Sequence, residues 1–246
     1  MTTYYPVPDN TEFIGEFQDE NILHPRYQCN TCSHAISPFY AQKTGVCGLC
    51  QKDYNDLKQL ERIFSVTIYT YGFRDHEITN AIDEVKRGKY AEEMVDILEW
   101  GMENLDDLMN YDMLVTPPRG TNDAALNHME NIGGRLSERV NLPLRDLLRK
   151  SEEYGSQRET DGAQERWDNV DKKIECIREF RTSPSVIVLD DIATTGATLE
   201  NCAKALNESG ASKVVGLTIA RTEYIDDLVD AEVYIPEDEI PEDERP

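Results

Sequence analysis

Basic residues are scarce in this chain. Twenty-five lysines and arginines stand against 48 aspartates and glutamates, a formal net charge of −23 over 246 residues. So acidic a surface repels phosphate backbones, and direct nucleic-acid binding is disfavoured. Long apolar runs are missing too. No stretch of about 18 apolar residues occurs, so no helical membrane span is expected. The opening residues, MTTYYPVPDN, have neither a basic end nor an apolar run. No secretory signal is therefore expected, and the chain reads as cytosolic. Histidine is down to four residues, of which His24, His76 and His128 stand in no recognisable constellation. His128 reads as a packing or surface residue on a helix. The acidic excess suits a high-salt cytosol, where screening blunts self-repulsion. A halophilic source and an ordinary acidic protein account for it equally well, and stability that rises steeply in molar KCl would favour the first.

What remains is enough for one sizeable α/β domain plus a small module, with 39% apolar residues for a core. Six cysteines are present, and disulfides are not expected in a cytosolic chain. Four of them form Cys29-x-x-Cys32 and Cys47-x-x-Cys50, two knuckles with 14 residues between them. Tetrahedral Zn²⁺, or a similar metal, needs four soft ligands, and this pattern supplies them. Four thiolates leave no open position, so the metal would be structural. Ligation by His34 in place of one cysteine is a minor alternative. Cys176 and Cys202 read as small buried hydrophobes.

Residues 1–26 carry three prolines without a clear period and read as an irregular arm. Residues 27–52 form the cysteine module, and 53–235 the main domain. From Asp53 a helical spacing is seen in Leu57, Leu60, Ile63 and Phe64. Strands are expected over 65–71, 112–115, 144–148, 185–189 and 213–220, with a further candidate at 233–235. Helices are expected around Ile78 to Val85, from Tyr90 to about Asn104, over 124–140 and over 199–206. The Gly133-Gly134 pair hints at close packing or a break. Residues 151–173 are polar with two glycines and read as a mobile lid. Residues 236–246 form an acidic, proline-broken tail, expected to be disordered. Strands alternating with helices predict an open, mainly parallel sheet with helices on both faces.

One segment, VIVLDDIATTGATL at 186–199, carries the chemistry. Its apolar strand ends in Asp190 and Asp191, at the carboxyl edge where open α/β sheets bind ligands. The small residues Ala193, Thr194, Thr195, Gly196, Ala197 and Thr198 then lead into a helix. Such a loop lets backbone N–H groups converge, the helix dipole adds positive potential, and threonine hydroxyls add donors. Together they make a phosphate cradle. Two carboxylates beside it accept hydrogen bonds from a diol, or hold it through a divalent cation. A ribose 5-phosphate satisfies both halves.

The segment resembles the 5-phosphoribosyl-1-pyrophosphate (PRPP) signature of type I phosphoribosyltransferases: apolar strand, two acids, two residues, Thr-Thr-Gly-x-Thr. More of the chain, about residues 27–220, is similar to the ComF/GntX-like branch of that family. That branch has an N-terminal four-cysteine zinc module and a tyrosine-containing strand, as at Tyr69 to Tyr71. It then has a Lys-x-Gly-like element, as in Val85-Lys86-Arg87-Gly88-Lys89-Tyr90. Thr116-Pro117-Pro118-Arg119-Gly120-Thr121-Asn122 resembles its Pro then Arg-Gly-x-Asn loop. Gln157, Arg166 and Asn169 match a later Gln and Arg-x-x-Asn in order. The chain departs from the pattern in its Glu-rich linker and in Thr121, where many members have an aromatic. It also lacks the usual aromatic after the Arg-x-x-Asn.

The resemblance implies a PRPP-binding, Mg²⁺-dependent phosphoribosyltransferase with a nitrogen acceptor, and a homodimer, as is common in the family. It implies that Asp190 and Asp191 hold the ribose hydroxyls and that 193–198 hold the 5-phosphate. Arg119 would face pyrophosphate, or be merely an exposed arginine in a turn. Arg166 would bring charge to the same group from the lid. A non-catalytic PRPP-binding regulator fits the same motifs. A zinc-ribbon adaptor in DNA uptake rests on the ComF likeness alone.

Overall fold

The computed structural model describes residues 29–34, 43–47, 50, 57–70, 77–118, 128–150 and 174–223. The elements within them are β1 (Ile63–Thr70), α1 (Glu77–Val85), α2 (Ala91–Asn104), a 3-10 turn (Leu108–Asn110), β2 (Met113–Val115) and α3 (His128–Val140). The short strands β3 (Leu144–Arg145), β4 (Leu148–Lys150) and β5 (Ile174–Cys176) follow, then β6 (Ser185–Ala193), α4 (Ala197–Glu208) and β7 (Lys213–Glu223). Five strands form one sheet in the order β1-β7-β6-β2-β3. Every pair in it is parallel. The expected mainly parallel sheet with helices on both faces is what the chain forms.

Both faces are covered, so the central strands are apolar throughout rather than alternating. Ile187 and Leu189 pack into one layer with α1, α2 and α3, through Ile78, Ile82, Met94, Leu98, Ile132 and Leu136. Val186 and Val188 face the other layer, where α4 contributes Leu199, Cys202, Ala203 and Leu206. Helix α2 lies close on the sheet because Gly101 has no side chain. A Cβ there would stand 2.6 Å from Val66 Cγ2. The outer seam between α2 and α3 is ionic: Arg139 reaches Asp96 and Glu99, and both Arg135 and Arg139 reach Glu92.

Several expectations are corrected. Leu57 to Phe64 is not helical: 57–62 are irregular, and Ile63 and Phe64 open β1. The apolar pair at 63 and 64 reflects a doubly covered strand, since Ile63 faces the α4 layer and Phe64 the other. The single strand expected over 144–148 is two. Leu144 and Arg145 extend the main sheet beside β2, whereas Leu148–Lys150 pairs antiparallel with Ile174–Cys176. Of the two alternatives at Gly133-Gly134, close packing holds: helix α3 runs unbroken, and a Cβ at Gly133 would stand 3.4 Å from Leu144 and Leu189. Cys202 is fully buried as expected, but Cys176 is only half-buried. The arm at 1–26, the lid at 151–173, the strand candidate at 233–235 and the acidic tail lie outside the described residues. Among the described residues no helix is long and apolar enough to cross a membrane.

Candidate functional site

Strand β6 carries Asp190 and Asp191 at its carboxyl end, in the interior of the sheet between β7 and β2. The backbone begins to bind the acids at once. Asp191 N–H donates to Asp190 Oδ1 at 3.0 Å, and Ile192 N–H donates to Asp191 Oδ1 at 2.8 Å. Two further groups reach the pair from distant parts of the chain. His128 Nε2, at the first residue of α3, lies 3.0 Å from Asp191 Oδ2. Lys86 Nζ, just past α1, lies 3.4 Å from the same oxygen. The reading of His128 as a packing or surface residue is therefore wrong: it is half-buried and partners a site carboxylate.

The two acids differ sharply in charge state. Burial, then the neighbouring charge of Asp191, raises Asp190 to about 8. Burial also acts upward on Asp191. It is outweighed by the His128 hydrogen bond and the charges of Lys86 and His128, which hold Asp191 at about 2. Near neutral pH the ligand-free pair thus carries about one negative charge, with the proton on Asp190. A cation or a diol donating to Asp190 would displace that proton. Next to the pair, a cavity of about 260 Å³ opens between the α1–α2 turn and α3, lined by Lys86, Arg87, Gly88, His128 and Asn131.

The loop after β6 turns at Gly196, with φ 81°. A side chain is excluded there twice over. The backbone is left-handed, and a Cβ would stand 2.7 Å from Ile63 Cδ1 and 3.2 Å from Leu57 Cδ2. Gly196 is also the N-cap of α4 and offers no side-chain cap. Thr195 Oγ1 accepts from Ala197 N–H at 3.3 Å, and Thr194 Oγ1 lies 2.9 Å from Thr222 Oγ1 on β7. Thr198 is exposed on the first turn. Acids, loop and helix start are thus adjacent at the carboxyl edge of the sheet. Arg119 and Arg166 lie outside the described residues.

The four cysteines of the two knuckles converge, their Sγ atoms all within 4.8 Å of one another. Cys47 N–H donates to Cys29 Sγ at 3.3 Å, and Cys50 N–H to Cys47 Sγ at 3.5 Å. Cys29 is held strongly toward the thiolate by hydrogen bonds from Cys32, Cys47 and Cys50. Its three partners are pushed up, foremost by their hydrogen bonds to Cys29. Four sulfurs so close cannot all ionise without a cation among them, and they fit a tetrahedral divalent metal such as Zn²⁺. Two buried or half-buried cations, Arg221 and Arg62, act on the charges of Cys32 and Cys29. That balances the net negative charge of a metal held by four thiolates.

No family model matches the chain, and no curated protein does. Solved structures do. One is an allosteric regulatory enzyme of purine biosynthesis, at 18% identity and TM-score 0.33, covering 57% of this chain and 26% of that one. An orotate phosphoribosyltransferase from Aeropyrum pernix matches at 17% identity and TM-score 0.34, covering 55% of this chain and 62% of that one. A purine phosphoribosyltransferase from Pyrococcus horikoshii matches at 17% and 0.34, covering 54% and 82%. The chain thus spans about a quarter of the first of these and under two thirds of the second.

Proposed function

We propose that the protein binds PRPP with Mg²⁺ and transfers its ribosyl 5-phosphate to a nitrogen nucleophile. The observation that carries this reading is the junction at the end of β6. Two carboxylates of opposite protonation state lead directly into a loop with a left-handed glycine at a helix start. Asp190 and Asp191 are assigned to the ribose hydroxyls, directly or through the cation. Thr194, Thr195, Gly196 and Thr198, with the backbone of Ala193 and Ala197, are assigned to the 5-phosphate. Arg119 and Arg166 are assigned to pyrophosphate. Lys86 and His128 keep Asp191 ionised and aimed.

The transfer breaks the bond between ribose C1 and the pyrophosphate oxygen, which leaves with the electron pair. The nucleophile's lone pair forms the C1–N bond, and its proton passes to solvent. Positive charge develops on the ribose ring, so no protein nucleophile is required. Mg²⁺, when bound, supplies charge neutralisation to the leaving pyrophosphate. This chain's residues orient the ribose, grip the phosphate and exclude water. The four-cysteine module is assigned a structural Zn²⁺.

The test is calorimetric titration of PRPP with Mg²⁺ into the wild type and into the Asp190→Ala, Asp191→Ala double variant. Binding confined to the wild type supports the site, and no binding at any salt up to molar KCl overturns it. Pyrophosphate release across a panel of nitrogen acceptors then separates a transferase from a protein that only binds PRPP.

A further inference from the structure

The four-cysteine cluster and the 193–198 loop share their supports. Leu57 packs against the thiol cluster of Cys29, Cys32 and Cys47, and its Cδ2 also closes the space behind Gly196. The residues after it, 58–60, have no regular structure and are held by side chains of α4: Asn207 donates to Gln59 O at 2.9 Å, and Glu200 accepts three N–H groups. Glu200, in the first turn of α4, is buried, and its carboxylate accepts three consecutive backbone N–H groups. Lys58 N–H donates at 2.6 Å, Gln59 at 2.7 Å and Leu60 at 3.0 Å. A first-turn carboxylate commonly serves its own helix terminus. This one is also bound to the segment that follows the cysteines.

A second route runs along β1. The cysteine segment caps the outer edge of that strand: Ile63 N–H donates to Thr31 O at 2.8 Å. Ser33 Oγ donates to Ile63 O at 2.5 Å and accepts from Ser65 N–H at 3.2 Å. The Ile63 side chain is the other wall behind Gly196. A third route crosses β7. His34 Nδ1 is 2.7 Å from the buried carboxylate of Glu223, next to Thr222, which touches Thr194. Arg221, one residue earlier, is in strand register with Ala193 and acts on the charge of Cys32.

We propose that metal occupancy of the Cys29/Cys32/Cys47/Cys50 site and ligand binding on the 193–198 loop are thermodynamically linked. Glu200 and Leu57 are the positioning residues that transmit the link. With metal bound, the cysteine segment is a rigid floor for Leu57 and the edge of β1, and the loop is pre-formed. Without it, four thiols have no common centre, Leu57 loses its floor, and Gly196 loses the wall that sets its conformation. By reciprocity, a phosphate-bearing ligand on the loop raises metal affinity by the factor by which metal raises ligand affinity. The ligand half rests on the function proposed above, and the coupling half does not.

The experiment uses the full chain, loaded with Zn²⁺ or stripped by chelator, and has three readouts. Hydrogen exchange of the amides at 195–201 should quicken about 5-fold or more on stripping. At equilibrium with a competing chelating dye, Zn²⁺ release should fall by a similar factor when Mg²⁺ and PRPP are present. In Glu200→Gln, and separately in Leu57→Ala, release at equilibrium should be greater than in wild type although neither residue touches the metal. Val140→Ala, in the opposite core layer, is the control for general destabilisation and should leave release unchanged. If exchange at 195–201 ignores the metal, the coupling is overturned whatever PRPP does. Release in Glu200→Gln and Leu57→Ala matching that in Val140→Ala also overturns it. If exchange responds but PRPP fails to bind the loaded protein, the coupling stands and the PRPP reading falls.

Discussion

Asparagine at position 190 should stabilise the ligand-free protein while abolishing its binding. Burial, then the charge of Asp191, raises Asp190 from 3.8 to about 8. Between those values the folded chain holds a proton that the unfolded chain has released. The folded state therefore binds more protons, and stability falls as pH rises through that window, levelling off above about 8. Four units at about 1.4 kcal/mol each bound the loss at roughly 5–6 kcal/mol. Asp190 still borders solvent, which screens part of it, so we expect about 2–4 kcal/mol. Asparagine mimics the protonated acid and keeps the Oδ1 that accepts from Asp191 N–H. Asp190→Asn should already be about 1 kcal/mol more stable than the wild type in urea unfolding at pH 5, with chelator present. It should be about 2–4 kcal/mol more stable at pH 9. Asp191 does not blur the comparison. Its depressed value contributes stability above about 4 that is lost only as pH falls toward about 2. Binding of PRPP with Mg²⁺ should meanwhile be undetectable by calorimetry. Parallel stability curves for the two proteins from pH 5 to 9 would refute the reasoning.

Gly196→Ala forces a left-handed alanine against Ile63 Cδ1 and should cost about 2–4 kcal/mol in urea unfolding, with weaker PRPP binding. A change below about 0.5 kcal/mol would mean the loop does not need that turn. Gly134→Ala, inside α3 with nothing within 4 Å of the new Cβ, should raise stability by about 1 kcal/mol. A loss there would contradict a continuous helix. His128→Ala removes a partner of Asp191 and should weaken binding of PRPP with Mg²⁺ by about 5- to 100-fold, with His128→Gln recovering part of it. Equal affinity in all three proteins would take His128 out of the site.

The strand, loop and helix start that carry the acids were readable as one unit because they are contiguous, so order and spacing are enough. The four cysteines were readable because each pair lies within one knuckle. Lys86 was readable only as part of the element from Val85 to Tyr90, without its partner Asp191, and His128 was not readable as a site residue. His128 is 63 residues from Asp191 and meets it only because α1 and α3 cover the same face of a sheet ordered β1-β7-β6-β2-β3. One signal was available. His128 precedes Ile132 by four positions, on the stripe that α3 buries, so it points to the sheet rather than to solvent. Glu200 gave no such sign. A glutamate in a first helical turn is ordinary, and its three donors lie in a segment whose spacing imitates a helix. Strands β4 and β5 span three residues each, too short for any period to show.

The supports of the site and its ligand-facing groups should therefore respond to substitution with opposite signs. Asp190 and Asp191 repel each other across a half-buried edge, and Gly196 holds a conformation few residues adopt. Those features weaken the fold where they stand, and other elements offset them. His128 and Lys86 neutralise Asp191, Thr222 braces Thr194, and Glu200 fixes the segment behind the loop. Neutralising Asp190 should stabilise the chain and cost it binding. Removing Glu200 strands three backbone N–H groups, of which that of Leu60 is buried, and should cost both, by about 1–3 kcal/mol in stability. A chain in which both substitutions destabilise equally would have acids that serve the fold rather than a ligand.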